Sequence, residues 1–244
     1  MNAKHVVIIA EAGVNHNGSV EKALRLVDVA AEAGADYVKF QTFKAEKLVS
    51  PEARKAVYAL RNMGTDERQF NMLRSLELSK EEHIRIIEHC CKRGIKFLST
   101  GFDEEALKML VEKGVDLIKI PSGELTNLPY LREAASYGLP VILSTGMASL
   151  EEVKESKKAL EVAGLNSALL SVLHCTTEYP APIEQVNLLA MKTMGQELGV
   201  SMGYSDHTMG IEASIAAVTL GASVIEKHFT LDRSMEGPDH KASL

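Results

Sequence analysis

Short apolar runs that turn polar at their C-terminal ends recur along the chain. They are Val6 to Glu11, Tyr37 to Gln41, Phe97 to Thr100, Leu117 to Ser122, Val141 to Thr145, Leu170 to Cys175, Val200 to His207 and Ser223 to Thr230. Such a run reads as a buried strand whose first residues lie in a core and whose last residues reach a site. Between the runs the period changes to that of helices. Ser19 to Ala33 puts Ala23, Leu26, Val27, Ala30 and Ala31 on one face, and helices are expected also at Ser79 to Arg93, Asp103 to Lys113, Leu128 to Tyr137, Ser149 to Ala163, Asn187 to Glu197 and Gly210 to Leu220. Gly34, Gly94, Gly114, Gly138, Gly199 and Gly221 follow helical stretches and directly precede strands, as C-terminal caps do.

Strands alternating with helices predict a mostly parallel sheet. Eight such units fit an α/β fold of the closed (β/α)8 TIM-barrel type, with residues 1–244 as a single domain. An open Rossmann-like sheet is the weaker alternative, because no GxGxxG follows the first strand. The stretch Lys44 to Leu78, with Pro51 and Gly64, interrupts the pattern between the second strand and its helix. A loop of that size in a barrel lies over the mouth, or is a tolerated surface insertion. After the eighth strand only Leu231 to Leu244 remains, too short and too rich in Gly, Pro and charge for a closing helix. The expectation is a barrel lacking its last helix, taken from a longer protein.

Composition narrows the partners. The 244 residues are 45% hydrophobic and 25% charged, with a formal charge of -6, which argues against nucleic acid or an anionic membrane as partner. An anionic ligand would need local cations. No apolar run of membrane-spanning length and no secretory signal is present, so a cytoplasmic protein is expected. The three cysteines, Cys90, Cys91 and Cys175, read as small buried thiols rather than a disulfide framework or thiolate metal site.

The outer face of a barrel strand packs on helices, so a charged residue inside a strand is expected to point into the barrel or to lie at its mouth. Lys39, which shares parity with Gln41, and Lys119, which precedes Pro121-Ser122-Gly123-Glu124, meet that condition. The hydroxyls of Thr100, Ser122, Ser144, Thr145 and Ser205 fall at or near strand ends. Together these groups suggest an anion pocket. His83, His89, His5 and His240 read as solvated side chains on a helix or near the termini. His16, His174, His207 and His228 follow or end strands and are candidates to converge on one mouth, although His174 fits a packing role better. Two imidazoles with a carboxylate nearby, His207 and His228, can bind a divalent cation while leaving positions open. Their spacing alone does not decide between a metal site and packing. Glu11, Glu124 and Glu226 are the carboxylates placed to orient a ligand or move a proton. Alternation puts Glu226 and His228 on one side of the strand and Lys227 on the other.

These motifs carry a resemblance. Ile9-Ala10-Glu11-Ala12-Gly13-Val14-Asn15-His16-Asn17-Gly18, Val38-Lys39-Phe40-Gln41-Thr42, Ile118-Lys119-Ile120-Pro121-Ser122-Gly123-Glu124, Leu143-Ser144-Thr145-Gly146-Met147, His174-Cys175-Thr176-Thr177-Glu178-Tyr179-Pro180, Gly203-Tyr204-Ser205-Asp206-His207-Thr208 and Glu226-Lys227-His228-Phe229-Thr230 resemble the sialic acid synthase family, motif by motif and in order. The family comprises N-acetylneuraminate synthase and the related legionaminate and pseudaminate synthases. The resemblance implies a barrel followed by a small antifreeze-like domain. It implies a transferase that condenses phosphoenolpyruvate with an N-acylated mannosamine-type sugar to a nine-carbon 2-keto acid and phosphate. Lys39, Thr100, Lys119, Ser122, Ser144 and Ser205 would then hold phosphoenolpyruvate. His207 and His228 would bind manganese or magnesium, and Glu11 would handle a proton or the attacking water. Gln41 would belong to the substrate site, and Glu124, Tyr179 and Asp239 would contact the sugar. A homodimer is implied as well.

Two departures stand beside the resemblance. Gly101 replaces a frequent proline next to Thr100 and is expected to loosen the backbone there. The antifreeze-like domain, which in the family crosses to a partner and supplies an arginine to the sugar site, is not in this sequence. A chain that binds metal and phosphoenolpyruvate with little or no turnover is one expectation. Another phosphoenolpyruvate-aldose condensing barrel, making a shorter keto acid, is the alternative. The wording of the 176–179 and 203–205 motifs leans toward N-acetylneuraminate or legionaminate over pseudaminate.

Overall fold

The computed structural model describes residues 5–63 and 68–244. Its strands are β1 (Val7–Gly13), β2 (Tyr37–Thr42), β3 (Lys96–Gly101), β4 (Ile118–Ile120), β5 (Val141–Ser144), β6 (Leu170–Cys175), β7 (Ser201–Asp206) and β8 (Val224–His228). All neighbours run parallel and the sheet closes between β8 and β1, giving the expected (β/α)8 barrel. Observed strand ends lie within a few residues of those read from the apolar runs.

Helices fill the crossovers at α1 (Val20–Glu32), α5 (Lys80–Arg93), α6 (Glu104–Glu112), α7 (Leu128–Ser136), α8 (Leu150–Val162), α9 (Leu189–Leu198) and α10 (Glu212–Thr219). The α5 and α8 N-termini close with reciprocal capping boxes, Ser79 with Glu82 and Ser149 with Glu152, which satisfy otherwise orphaned amides. At their C-terminal ends the glycines named above all adopt positive φ, as the sequence pattern predicts. After β8 the described residues hold only a 3-10 turn at His240–Ala242. That terminal stretch is tied back to the barrel: Leu244 N donates to His228 O at 2.9 Å, and Asn15 Nδ2 donates to Phe229 O and Ser243 Oγ.

The long insertion after β2 carries α2 (Ala45–Leu48), α3 (Val57–Met63) and α4 (Gln69–Ser75); Gly64 lies outside the described residues. Met72, Leu73 and Leu76 pack with Val14, Phe43 and Ala45 in a cluster of their own. This burial seats the insertion on the C-terminal face of the barrel. Inside the barrel, Ile9, Tyr37, Leu98, Leu117, Ile142, Leu173 and Val224 form an apolar plug. Polar side chains one step further along the strands therefore stand on a dry floor.

Five expectations need correction. His83 is buried, not solvated: it lies on the α5 face that also buries Ile86 and Cys90, and Thr42 Oγ1 and Ser79 O each approach a ring nitrogen to 2.8 Å. His240 is fully buried, bonded to Thr230 Oγ1 at 2.7 Å and Asn17 Oδ1 at 3.1 Å. Cys91 is exposed, because adjacent helical positions cannot share one buried face with Cys90. The rule that strand charges point inward fails for Asp206 and Lys227, which pair at 3.1 Å behind the sheet. Gly101 is also more constrained than expected. Its carbonyl accepts Tyr130 Oη at 2.6 Å, and a Cβ there would meet Leu107 N at 2.9 Å.

Candidate active site

Register brings the charged residues to one level. Glu11 is paired across the ladder with Lys39 on one side and His228 on the other, Thr100 with Lys119, and Ser205 with Glu226. Strand alternation turns all of them inward, above the apolar plug.

The two lysines are not free cations. Lys39 Nζ lies 2.7 Å from Glu11 Oε2 and 3.6 Å from Glu226 Oε2, and donates to Thr100 Oγ1 at 3.0 Å. Lys119 Nζ lies 3.5 Å from Glu226 Oε1, which also accepts Ser205 Oγ at 2.9 Å. Two ammonium groups and two carboxylates thus share a buried volume, and the pocket is more nearly charge-balanced than the sequence suggests. Burial opposes the charge on Glu226, but Lys119 and Lys39 overcome it and hold the carboxyl at about 2. Burial pushes Glu11 up from the usual carboxylate range, only partly offset by Lys39. Burial pulls both lysines down; for Lys39 the two carboxylates outweigh it and leave the group above its ordinary value, whereas Lys119 stays below.

Beside this cluster stand the two imidazoles, with ring centroids 5.6 Å apart. Nδ1 of His207 is 2.6 Å from Thr176 O, and a carbonyl only accepts, so that nitrogen carries the proton. Its Nε2 lies 3.3 Å from Ser205 Oγ, whose single proton goes to Glu226, so the Nε2 lone pair stays uncommitted. His228 Nδ1 is buried without a hydrogen-bond partner, 4.0 Å from Asp239 Oδ2. Burial holds both rings neutral, His207 at about 4 and His228 well below the usual imidazole range. Tyr179 stacks on His207 at 4.1 Å and meets His228 edge-on at 5.6 Å. Gly13, at φ 53°, completes the packing: a Cβ would lie 3.3 Å from both Glu11 Oε1 and His228 Cε1.

A cavity of about 820 Å³ opens over these groups. Its floor comprises Glu11, Lys39, Gln41, Thr100, Lys119, Ser122, Ser144, Ser205, Glu226 and both imidazoles; Tyr179 and Asp239 form one wall. Gln41 Nε2 donates to Glu11 Oε1 at 3.3 Å, and Ser122 Oγ accepts Gly146 N at 2.8 Å. Apolar side chains of Val14, Leu48, Met72, Leu73 and Phe102 line the cavity as well. Arg61 and Gln69 from the insertion, together with Cys175 and Thr177, also line the space, and sequence reasoning did not single them out.

Some candidates stay apart. Glu124 accepts Asn127 Nδ2 at 2.6 Å and does not line the cavity. Thr145 donates to Leu173 O at 3.0 Å as a buried strand-end tie. His16 packs against Phe40, whose ring faces away from the barrel interior, and does not join the mouth. His174 bonds Val186 O at 2.7 Å and leans on Tyr204, the packing role expected of it.

The chain has counterparts among known proteins. The NeuB family profile matches residues 26–244. This chain belongs to the NeuB family. It is 53% identical over 241 residues to N,N'-diacetyllegionaminic acid synthase of Campylobacter jejuni, covering 99% of this chain and 72% of that protein. The enzyme of the same name from Legionella pneumophila is 51% identical over 239 residues, covering 97% and 67%. The crystal structure of N-acetylneuraminic acid synthetase from Leptospira borgpetersenii, in complex with citrate, superposes with a TM-score of 0.87 at 36% identity, covering 99% of this chain and 79% of that one. The chain thus spans about two thirds to four fifths of the length of these NeuB relatives. No helix among its described residues is long and apolar enough to cross a membrane.

Proposed function

We propose that this NeuB-family barrel condenses phosphoenolpyruvate with an N-acylated mannosamine-type sugar, forming a nine-carbon 2-keto acid and inorganic phosphate. The observation that carries the reading is the single cavity in which Lys39, Lys119 and the strand-end hydroxyls of Thr100, Ser122, Ser144 and Ser205 adjoin two neutral imidazoles. Similarity to the two N,N'-diacetyllegionaminic acid synthases favours a sugar bearing two acetamido groups, since phosphoenolpyruvate carries no nitrogen and both would have to come from the acceptor.

The lysines and hydroxyls would take the phosphate and carboxylate oxygens, with the incoming anion displacing part of the Glu226 contact to Lys39 and Lys119. Carbon 3 of phosphoenolpyruvate then forms a bond to the aldehyde carbon of the open-chain sugar, whose oxygen takes up a proton. Water adds to carbon 2, the carbon–oxygen bond to phosphate breaks, and the keto group forms as phosphate leaves. Glu11, held by Lys39 and Gln41 at the level of His228, is the group proposed to move the proton or orient the water. Tyr179 and Asp239 border the space for the sugar.

A divalent cation, manganese or magnesium, fits the donors present. His207 offers an uncommitted Nε2 lone pair, His228 a buried and unpartnered nitrogen, and neutral imidazole is the ligating form. Among the described residues no group of three or more His, Cys, Asp or Glu side chains is arranged to hold a metal ion, so water and substrate would have to supply the remaining positions. When bound, the ion would supply Lewis-acid polarisation of the aldehyde oxygen. A homodimer in the cytoplasm belongs to the same proposal, on the resemblance alone.

The test is phosphate release from phosphoenolpyruvate with manganese and a sugar panel: N-acetylmannosamine, its di-N-acetylated trideoxy counterpart, and phosphorylated aldoses. Release with the di-N-acetylated sugar, abolished in His207→Ala/His228→Ala, supports the reading. Release only with a phosphorylated aldose would instead establish the other type of condensing barrel.

A further inference from the structure

The buried pair behind the sheet brackets both imidazoles. Asp206 immediately precedes His207, Lys227 immediately precedes His228, and the two are register partners across β7 and β8. One rung earlier and on the opposite face, Ser205 donates to Glu226 at 2.9 Å. The strand ends are therefore tied on both faces directly below the imidazoles.

Asp206 is fully buried and accepts on every side. Its Oδ1 takes Thr208 N at 2.9 Å and Thr208 Oγ1 at 2.7 Å; its Oδ2 takes Ser214 Oγ of α10 at 2.6 Å and faces Lys227 Nζ at 3.1 Å. Lys227 Nζ continues to Thr208 O at 2.8 Å. Both backbone polar groups of Thr208 are thus held from behind the sheet, and His207 O accepts Ala181 N at 2.8 Å. The backbone carrying His207 has little freedom left, and its ring is aimed by Thr176 O. A buried carboxylate needs several donors, and here they come from Thr208, the residue after His207, and from Ser214 of α10, so satisfying Asp206 also fixes the backbone that carries the imidazole. The full set of contacts is what fixing one side chain requires.

We propose that Asp206 and Lys227 are positioning residues that set the separation and aim of His207 and His228. This rests on the two-imidazole site proposed above. It predicts that the pair contributes to metal affinity through geometry rather than through overall stability. Replacing both charges by apolar groups, Asp206→Leu/Lys227→Met, removes the acceptor for Thr208 without stranding a buried charge. Asp206→Asn/Lys227→Met also removes both charges but keeps an acceptor for Thr208.

The experiment has two readouts. In apo protein, nitrogen-15 imidazole NMR is expected to show one fixed tautomer for His207 with a slowly exchanging Nδ1–H. That signature should be lost in the Leu/Met variant and kept in the Asn/Met variant. Manganese titration followed by the free-ion electron paramagnetic resonance signal should give about tenfold weaker binding in Leu/Met, and affinity within about threefold of wild type in Asn/Met. Should Leu/Met not fold, the isosteric Thr208→Val variant, which removes one donor to Asp206, is expected to broaden the His207 signal and weaken manganese binding. A folded Leu/Met or Thr208→Val protein with an unchanged His207 spectrum overturns the inference, whatever its metal affinity. If wild type binds manganese no better than His207→Ala/His228→Ala, the metal reading fails, and the NMR readout still decides the positioning role.

Discussion

Lys39 Nζ and Glu11 Oε2 meet at 2.7 Å in the centre of the barrel, with both side chains at most 4% exposed. A pair this deep costs more when broken than when removed. Lys39→Met is therefore expected to destabilise the fold by about 3 kcal/mol, leaving two carboxylates beside one lysine, whereas Glu11→Gln/Lys39→Met should recover part of that loss. Urea denaturation of the two singles and the double gives the coupling. The KM for phosphoenolpyruvate should rise in every variant lacking Lys39, including the double. A double variant with wild-type KM would remove Lys39 from the anion site.

The stacking of Tyr179 on His207 at 4.1 Å gives a second test. An aromatic pair contributes roughly 1 kcal/mol beyond burial, so Tyr179→Ala should weaken manganese binding by about fivefold. Tyr179→Phe keeps the ring and is expected to bind manganese as wild type does, while its KM for the sugar rises through loss of the hydroxyl. Calorimetric titration with manganese and initial-rate kinetics separate the two effects. Equal metal affinity in Tyr179→Ala and wild type would show that the stack does not organise His207.

The barrel was legible because each repeat unit states itself locally: an apolar run, a polar strand end, an amphipathic helix and a glycine cap. Strand parity placed Lys39 with Gln41 and separated Lys227 from His228 correctly, since alternation is a property of the backbone alone. What alternation does not show is who sits across the barrel. The neutralisation of Lys39 and Lys119 by Glu11 and Glu226 depends on strands far apart in sequence, and so does the burial of His240 under Asn17 and Thr230. His83 was legible and missed, for it shares the helical spacing of Ile86 and Cys90. Asp206 and Lys227 show the limit of the inward-charge rule: an outward charge is tolerated where a cross-strand partner and helix hydroxyls complete its bonds.

The insertion closes on the mouth through Asn62, whose Nδ2 donates to Pro238 O at 2.7 Å and Tyr179 O at 3.2 Å. It thereby links α3 to the two segments that border the proposed sugar space. Asn62→Ala removes both bonds, and the KM for the sugar should rise about tenfold, while the KM for phosphoenolpyruvate, proposed to bind at the floor, should change little. Initial rates at saturating concentrations of the fixed substrate check this. An equal rise in both constants would mean that the insertion orders the whole cavity rather than its outer half.

His16 supplies a prediction that is independent of the active-site chemistry. Its ring is fully buried against Phe40, Nδ1 accepts Gly18 N at 3.0 Å, and Nε2 has no partner. Burial, aided by nearby His83, lowers its proton affinity from the usual imidazole value of 6.5 to about 4. Between those two values the unfolded chain binds a proton that the folded chain refuses, so stability rises with pH across the window and falls on acidification. The contribution of His16 is fully present above pH 6.5 and is lost progressively toward pH 4, by up to about 3 kcal/mol in all. Replacing His16 by Gln removes the titrating group while keeping an acceptor for Gly18 N. Chemical denaturation from pH 7.5 to 4.5 should show the wild-type stability falling more steeply than that of His16→Gln, with the two curves closest at pH 7.5 and the gap between them opening toward the acid end. Parallel curves would mean that His16 takes up its proton in the folded state as readily as in the unfolded one, and that its buried Nε2 has access to water.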